Sequence, residues 1–143
     1  EAFAILTNGL TDSSIGIRDA ATYGVAFCFE LESNRFAEAA LPLLVNNLKD
    51  PVDYMRSDTV VALMRFTEHQ CQRGLPVPDF LIPPLIESLQ DKSHYARGYA
   101  LVALDCSCLS DKVKPWLPAI QKLLDDPDAF VRQTATNLVR SLR

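Results

Sequence analysis

Residues 42–64 read PLLVNNLKDPVDYMRSDTVVALM, and residues 118–140 read PAIQKLLDDPDAFVRQTATNLVR. Both open on a proline, carry apolar residues at helical spacing, stop at Leu-x-Asp-Pro, and resume behind an arginine with a second apolar stripe. The same pattern runs through AILTNGLTDSSIGIRDAATYGVA at 4–26 and PPLIESLQDKSHYARGYALVALD at 83–105. With the four segments aligned on Leu10, Leu48, Leu89 and Leu124, an aspartate stands two places on: Asp12, Asp50, Asp91 and Asp126. An arginine stands eight places on: Arg18, Arg56, Arg97 and Arg132. Apolar residues fill place seven (Ile17, Met55, Ala96, Val131) and place fifteen (Val25, Leu63, Leu104, Val139). Small residues fill place eleven: Ala21, Thr59, Ala100 and Ala135. The spacings between units are 38, 41 and 35 residues, a period that marks a helical repeat array.

Each unit reads as two helices. Leu41, Leu44, Val45 and Leu48 form one stripe that ends at Lys49-Asp50-Pro51, where the proline opposes a continued helix. Val60, Leu63 and Met64 form the next stripe. Pro42, Pro83 or Pro84, and Pro118 fall near the first turn of each first helix, where a missing amide costs least. The expected helices are 2–11, 15–30, 37–49, 53–70, 79–90, 94–108, 114–125 and 128–142, in units of about 1–36, 37–78, 79–112 and 113–143. The segment CQRGLPVP at 71–78 is expected to be a loop, and Ser33 to Arg35 an irregular connection. Two short helices cannot bury their apolar stripes alone, whereas stacked hairpins make one continuous core. The expected fold is therefore all-α, a right-handed α–α superhelix of four helical hairpins, about eight helices, in a single repeat domain.

The composition suits such a fold. The chain has 143 residues, 48% hydrophobic and 22% charged, with a formal net charge of -4. That balance disfavours nucleic acid as the main partner. No run of about 20 apolar residues is present to span a bilayer. Residues 1–78 hold 10 acidic and 6 basic side chains, while 79–143 hold 8 of each, so an acidic first half would steer toward a basic surface. The first residue is not Met, and Leu142, Ala2, Phe3, Ile5 and Leu6 leave the end helices without a polar cap. The expectation is a piece of a longer array, or an oligomer.

This pattern resembles the HEAT-repeat family: hairpins with Asp in the inter-helix turn, Val or Ile before Arg early in the second helix, and leucine-rich first helices. The resemblance covers nearly the whole chain. It implies that Asp12, Asp50, Asp91 and Asp126 form, with Arg18, Arg56, Arg97 and Arg132, a structural ladder linking neighbouring units. Unit three departs in having Ala96 where Val or Ile is usual and no proline after Asp91. Four equivalent Asp and Arg copies argue for a task performed once per repeat, not for catalysis.

No enzyme motif stands out. The five glycines are scattered, and His69 and His94 are far apart, with His94 expected at a turn beside Tyr95. Glu30 and Glu32 point apart on a helix, and Trp116 is expected in packing. Cys28, Cys71, Cys106 and Cys108 include no CxxC, and the reading is buried free thiols in a reducing, cytoplasmic setting. No motif calls for a metal or a cofactor.

What a solenoid offers is surface, since its second helices line one concave face. Places nine, thirteen and seventeen give Asp19, Tyr23 and Phe27; Ser57, Val61 and Arg65; Gly98, Val102 and Cys106; Gln133, Asn137 and Ser141. Tyr23, Phe27, Val61, Arg65, Val102 and Asn137 are the candidate partner-binding residues; the competing reading packs some of them against adjacent second helices. The leading function is a non-catalytic protein-interaction scaffold for a protein partner. Two rivals stand beside it. One follows from the resemblance, because some HEAT-like proteins are bilin lyases or lyase-related factors, and it asks for a chromophore-sized cleft and a reactive thiol at Cys71 or Cys108. The other is a structural spacer in a larger assembly. A glycosylase reading, also drawn from helical-repeat proteins, needs a basic groove that this charge balance opposes.

Overall fold

The chain, in a computed structural model that describes residues 2–31 and 34–143, forms an α–α superhelix of stacked hairpins. Glu32 and Ser33 lie outside the described residues, whereas Asn34 and Arg35 of the connection expected at Ser33 to Arg35 already belong to the first turn of the next helix. Helices α1 (Ala2–Gly9) and α2 (Ile15–Leu31) make the first hairpin, and α3 (Asn34–Asn47) and α4 (Asp53–Gln72) the second. The third is α5 (Ile82–Ser88) and α6 (His94–Leu104). A short α7 (Ser110–Val113) leads to the last hairpin, α8 (Leu117–Gln121) and α9 (Ala129–Ser141). The second helices stack in the order α2, α4, α6, α9, and each first helix packs on its own second helix.

Burial follows the repeat. Place fifteen is closed in every unit: Val25, Leu63 and Leu104 are 0% exposed and Val139 4%. Place eleven is closed too, and its small side chains let neighbouring helices approach. Place seven is closed at Met55, Ala96 and Val131 but open at Ile17, which is 49% exposed. The hairpin of Ile17 has a neighbour on one side alone among the described residues.

Several helix ends differ from the expected ones, each for a local reason. The helix expected to begin at 79 is a 3-10 turn over Asp79–Leu81 before α5, because Pro83 and Pro84 remove two amide donors. The helix expected over 114–125 is α only at Leu117–Gln121, with 3-10 turns on both sides; Pro115 and Pro118 remove amide donors before it, and Pro127 removes the one that would reach Leu123 after it. Helix α6 stops at Leu104, short of the expected 108, and Cys106 is already extended at φ -87°, ψ 130°. Helix α4 runs two residues past the expected 70 and ends on Gly74 at φ +64°. There the Leu75 amide donates to the Gln70 carbonyl (2.9 Å) and the Gly74 amide to that of Cys71 (3.1 Å), a left-handed cap that suits glycine.

Candidate functional site

The inter-helix turns come first, because they set the register of the second helices. Each repeat aspartate closes its own turn through Oδ1, which accepts an amide two residues on: Ser14 to Asp12 at 2.7 Å, Val52 to Asp50 at 3.0 Å, Ser93 to Asp91 at 2.8 Å, and Asp128 to Asp126 at 2.9 Å. Each repeat arginine donates from one terminal nitrogen to the carbonyl of its own turn aspartate, at 2.8, 2.9, 2.8 and 2.7 Å for Arg18, Arg56, Arg97 and Arg132. The rest of the guanidinium reaches forward. Arg18 meets Asp50 at 2.9 Å, Arg56 meets Asp91 at 2.6 Å, and Arg97 meets Asp126 at 2.8 Å, one unit along in each case. The fork that Arg97 makes on Asp126 is bidentate (2.8 and 2.9 Å), so angle as well as distance is fixed between hairpins. The hydrogen bonds from Arg97 hold the Asp126 carboxyl below its usual range. At Asp91 burial works upward, but the Arg56 guanidinium and the Ser93 amide outweigh it and the net shift is downward.

With the register so fixed, the second helices present a row of side chains on one face. Tyr23 and Phe27 stand out at 57% and 61% exposed, and Arg65 and Asn137 are exposed as well. Val61 and Val102 are half-buried, so they floor this face more than they project from it. Ser57 is buried, its hydroxyl 2.9 Å from that of Ser93, and so leaves the expected outward column. Gly98 leaves it too, since a Cβ there would overlap the Phe130 ring.

The strongest feature of the face lies one turn earlier. Place six holds Tyr54, Tyr95 and Phe130 in units two to four, 48%, 54% and 39% exposed. Tyr99 joins them, near-parallel to Tyr95 (centroids 6.5 Å, 16°) and edge-on to Phe130 (5.4 Å, 63°). The face columns at nine, thirteen and seventeen pass over this row, although an aromatic at place six in three successive units is visible in the sequence. Between α2, α4 and α6 these rings border a groove of about 490 Å³, lined by Tyr23, Tyr54, Tyr95 and Tyr99 together with Asp53 and Asp58. Tyr23 donates its hydroxyl to Asp58 at 3.3 Å. Burial, and then the charge of Asp19, push the Asp58 carboxyl above its usual range. The Oδ1 of Asp19 is itself shut off from solvent with no hydrogen-bond partner. The His94 ring lies against that of Tyr95, tilted by 37° with centroids 4.1 Å apart, and stands 4.0 Å from Asp128.

The other end of this face carries the cysteines, and here the free-thiol reading is corrected. Cys71 and Cys108 form a disulfide with Cα atoms 5.6 Å apart. Their separation of 37 residues matches the repeat period, which sets the end of α4 beside the turn after α6. The bond removes the argument on which a reducing, cytoplasmic setting rested. It also occupies the two thiols that a lyase would need. Burial raises the Cys106 thiol, the opposite of an activated nucleophile. A groove of about 500 Å³ does lie here, between Glu68, Val102, Asp105 and Asn137. Trp116 is 38% exposed in the 3-10 turn before α8. Among the described residues no cluster of His, Cys, Asp or Glu could hold a metal ion, and no helix is long and apolar enough to cross a membrane.

Comparison with solved structures gives the fold. The likeness is to designed armadillo repeat proteins. One, in complex with the peptide (KR)4, is 18% identical with a TM-score of 0.73, over 96% of this chain and 63% of its own. A second is 22% identical with a TM-score of 0.71 at the same coverage. A third, computationally designed for modular peptide recognition, is 20% identical with a TM-score of 0.73, again over 96% and 63%. The chain thus spans less than two-thirds of the length of these proteins. They establish an armadillo- or HEAT-like helical solenoid and give no support to the bilin-lyase subgroup. No protein-family model and no curated protein matches the chain.

Proposed function

We propose that this chain is a non-catalytic protein-interaction scaffold that takes an extended segment of a protein partner along the face of α2, α4, α6 and α9. The observation that carries this reading is the row of exposed rings on one face of successive second helices, from Tyr23 and Phe27 through Tyr54 and Tyr95 to Phe130. Large aromatics left open in register on a rigid stack are what a binding surface needs, and a spacer gains nothing from them. The ladder and the disulfide fix the geometry in advance, which lowers the cost of binding. That a designed protein of like fold is seen in complex with a peptide supports the same use of the fold.

The opposite side offers a weaker alternative. A depression of about 430 Å³ lies between α3 and α5, but Lys49, Glu87 and Asp91 mix both signs of charge there, and no aromatic row continues it.

The test is selection from a displayed library of random linear peptides. Its winners are then measured against wild type and a Tyr23→Ser/Phe27→Ser/Tyr54→Ser variant whose helical CD and melting are unchanged. Loss of binding in the variant is the expected result. Winners that bind the variant as tightly as wild type would remove this face from consideration.

A further inference from the structure

The step of 41 residues from Leu48 to Leu89 is the longest between units, and part of its extra length, in the segment CQRGLPVP at 71–78, walls a cavity. The cavity holds about 270 Å³ between α3, the end of α4 and the start of the next unit. Buried Leu41 and Phe66 and the more open Pro76, Pro78 and Phe80 make its walls apolar. The wall is braced from outside. Cys71 is bonded to Cys108, and Lys112 meets the Val77 carbonyl at 3.1 Å and Asp79 at 2.5 Å. One polar side chain is set into these walls. Gln70 is 6% exposed, and its Oε1 is shut off from solvent with no hydrogen-bond partner. An unpaired buried acceptor is a standing cost to the fold. No other side chain of the lining can relieve it. Glu38 accepts when ionised, the remaining side chains are apolar, and the prolines bring no amide hydrogen. The last torsion of a glutamine is broad, so a small rotation turns this oxygen toward the cavity.

We propose that this cavity is the pocket for an indole ring, carried by a tryptophan side chain of a protein partner. Size narrows the occupant first. An apolar cavity of about 150 Å³ takes a benzene, and drug-sized ligands fill roughly 300 Å³ or more. The space here fits one fused bicycle. Hydrogen bonding narrows it further. Indole has a single N–H and no acceptor, the complement of one orphan oxygen, whereas a phenol brings an oxygen whose lone pairs the apolar walls leave unmet. Glu38 stands exposed at the edge, where the polar backbone of the partner's segment stays in water. An aromatic anchor in a pre-formed pocket is the kind of contact that carries most of a partner's binding energy. The pocket shares no residue with the ring row of the second-helix face, so either site can fail alone.

The test titrates the isotope-labelled protein by NMR with N-acetyl-tryptophan amide, with its benzothiophene analogue, in which sulfur replaces the N–H, and with free indole. The proteins are wild type, Gln70→Met, and Tyr95→Leu on the second-helix face. In wild type and Tyr95→Leu the tryptophan amide is expected to shift the amide signals around Gln70 and Phe80. It is expected to bind about fivefold tighter than the analogue of the same shape, the worth of one neutral hydrogen bond. Gln70→Met removes the orphan oxygen at nearly constant volume, so it is expected to melt no lower than wild type and to bind the two ligands alike. No shift around Gln70 with the tryptophan amide, equal binding of the two ligands by wild type, or an unchanged preference in Gln70→Met would each overturn the pocket. Indole binding there while the tryptophan amide does not would overturn the partner's side chain as its occupant. The Tyr23→Ser/Phe27→Ser/Tyr54→Ser variant leaves every lining residue in place, so failure of the second-helix face is read separately by the library selection.

Discussion

Arg97 illustrates how one side chain can hold two hairpins together. One terminal nitrogen ties down the carbonyls of Asp91 and Lys92, and the other two nitrogens grip Asp126, whose side chain is 5% exposed. Truncation strands that carboxylate. Arg97→Ala is therefore expected to cost about 2–3 kcal/mol in denaturant unfolding, with Arg97→Lys recovering part of the loss. Arg132 donates to its own turn but reaches no forward carboxylate among the described residues, so Arg132→Ala should cost clearly less. Equal losses would show that the forward bond contributes nothing. The same geometry fixes the sign of the acid response. Asp91 and Asp126 have folded-state pKa values below the ordinary one. The stability they contribute is whole above the unfolded carboxylate's value, about 4, and is lost as pH falls below it through the lowered folded values. In Arg97→Ala the Asp126 part of that acid loss should flatten. Asp58 has the opposite sign: its raised value means the charged form costs stability once pH exceeds the unfolded value. Asp58→Asn, which keeps an acceptor for Tyr23, is thus expected to raise Tm at pH 7. A lowered Tm would contradict the crowding of Asp58 against Asp19.

At the level of elements, the sequence announces helix ends unevenly. Ends set by proline or glycine are legible, because a missing amide or a positive φ is a property of one residue, as at Pro51 or Gly74. The early end of α6 at Leu104 is not, since residues 105–108 hold no breaker and their path is set by tertiary contacts. Asp105 accepts from Ser141 at 2.6 Å, and Cys108 is bonded back to Cys71. The disulfide escapes a search for close cysteine spacings, because in a solenoid the spatial neighbour lies one period away. It closes a loop of 37 residues and joins the end of α4 to the turn after α6. Chain entropy alone would make it worth up to about 4 kcal/mol. Cys71→Ser, or reduction of wild type, is expected to lower Tm and to speed amide exchange through residues 71–78, where Lys112 also anchors the Val77 carbonyl at 3.1 Å. A Tm indifferent to reductant would mean that the two thiols are not joined.

Over the whole molecule, what was legible is what repeats. The Asp and Arg places recur in the sequence, and three of the four arginines meet the next unit's aspartate. The face was legible only in part, because Tyr23 and Phe27 project while Ser57 and Gly98 are covered by neighbours that belong to other units. Covering of that kind depends on how hairpins stack, and periodicity along one helix does not contain it. Stacking also sets how stability is distributed. Helix α4 is packed by α2, α3 and α6, and α6 by α4, α5 and α9, whereas α1 touches α2 and α3 and leaves Ile5 71% exposed. In a quasi-one-dimensional stack each hairpin is stabilised by its neighbours, so opening should begin where a neighbour is missing. Leu63 and Leu104, both fully buried, lie in the middle pair, which the disulfide also binds. Native-state amide exchange under increasing denaturant should therefore show α1 opening first, at a free energy well below the global value. Helices α4 and α6 should exchange last and together, and Leu63→Ala should pull both down by about 2–5 kcal/mol. Equal protection from α1 to α9 would mean that the hairpins fold as one indivisible unit.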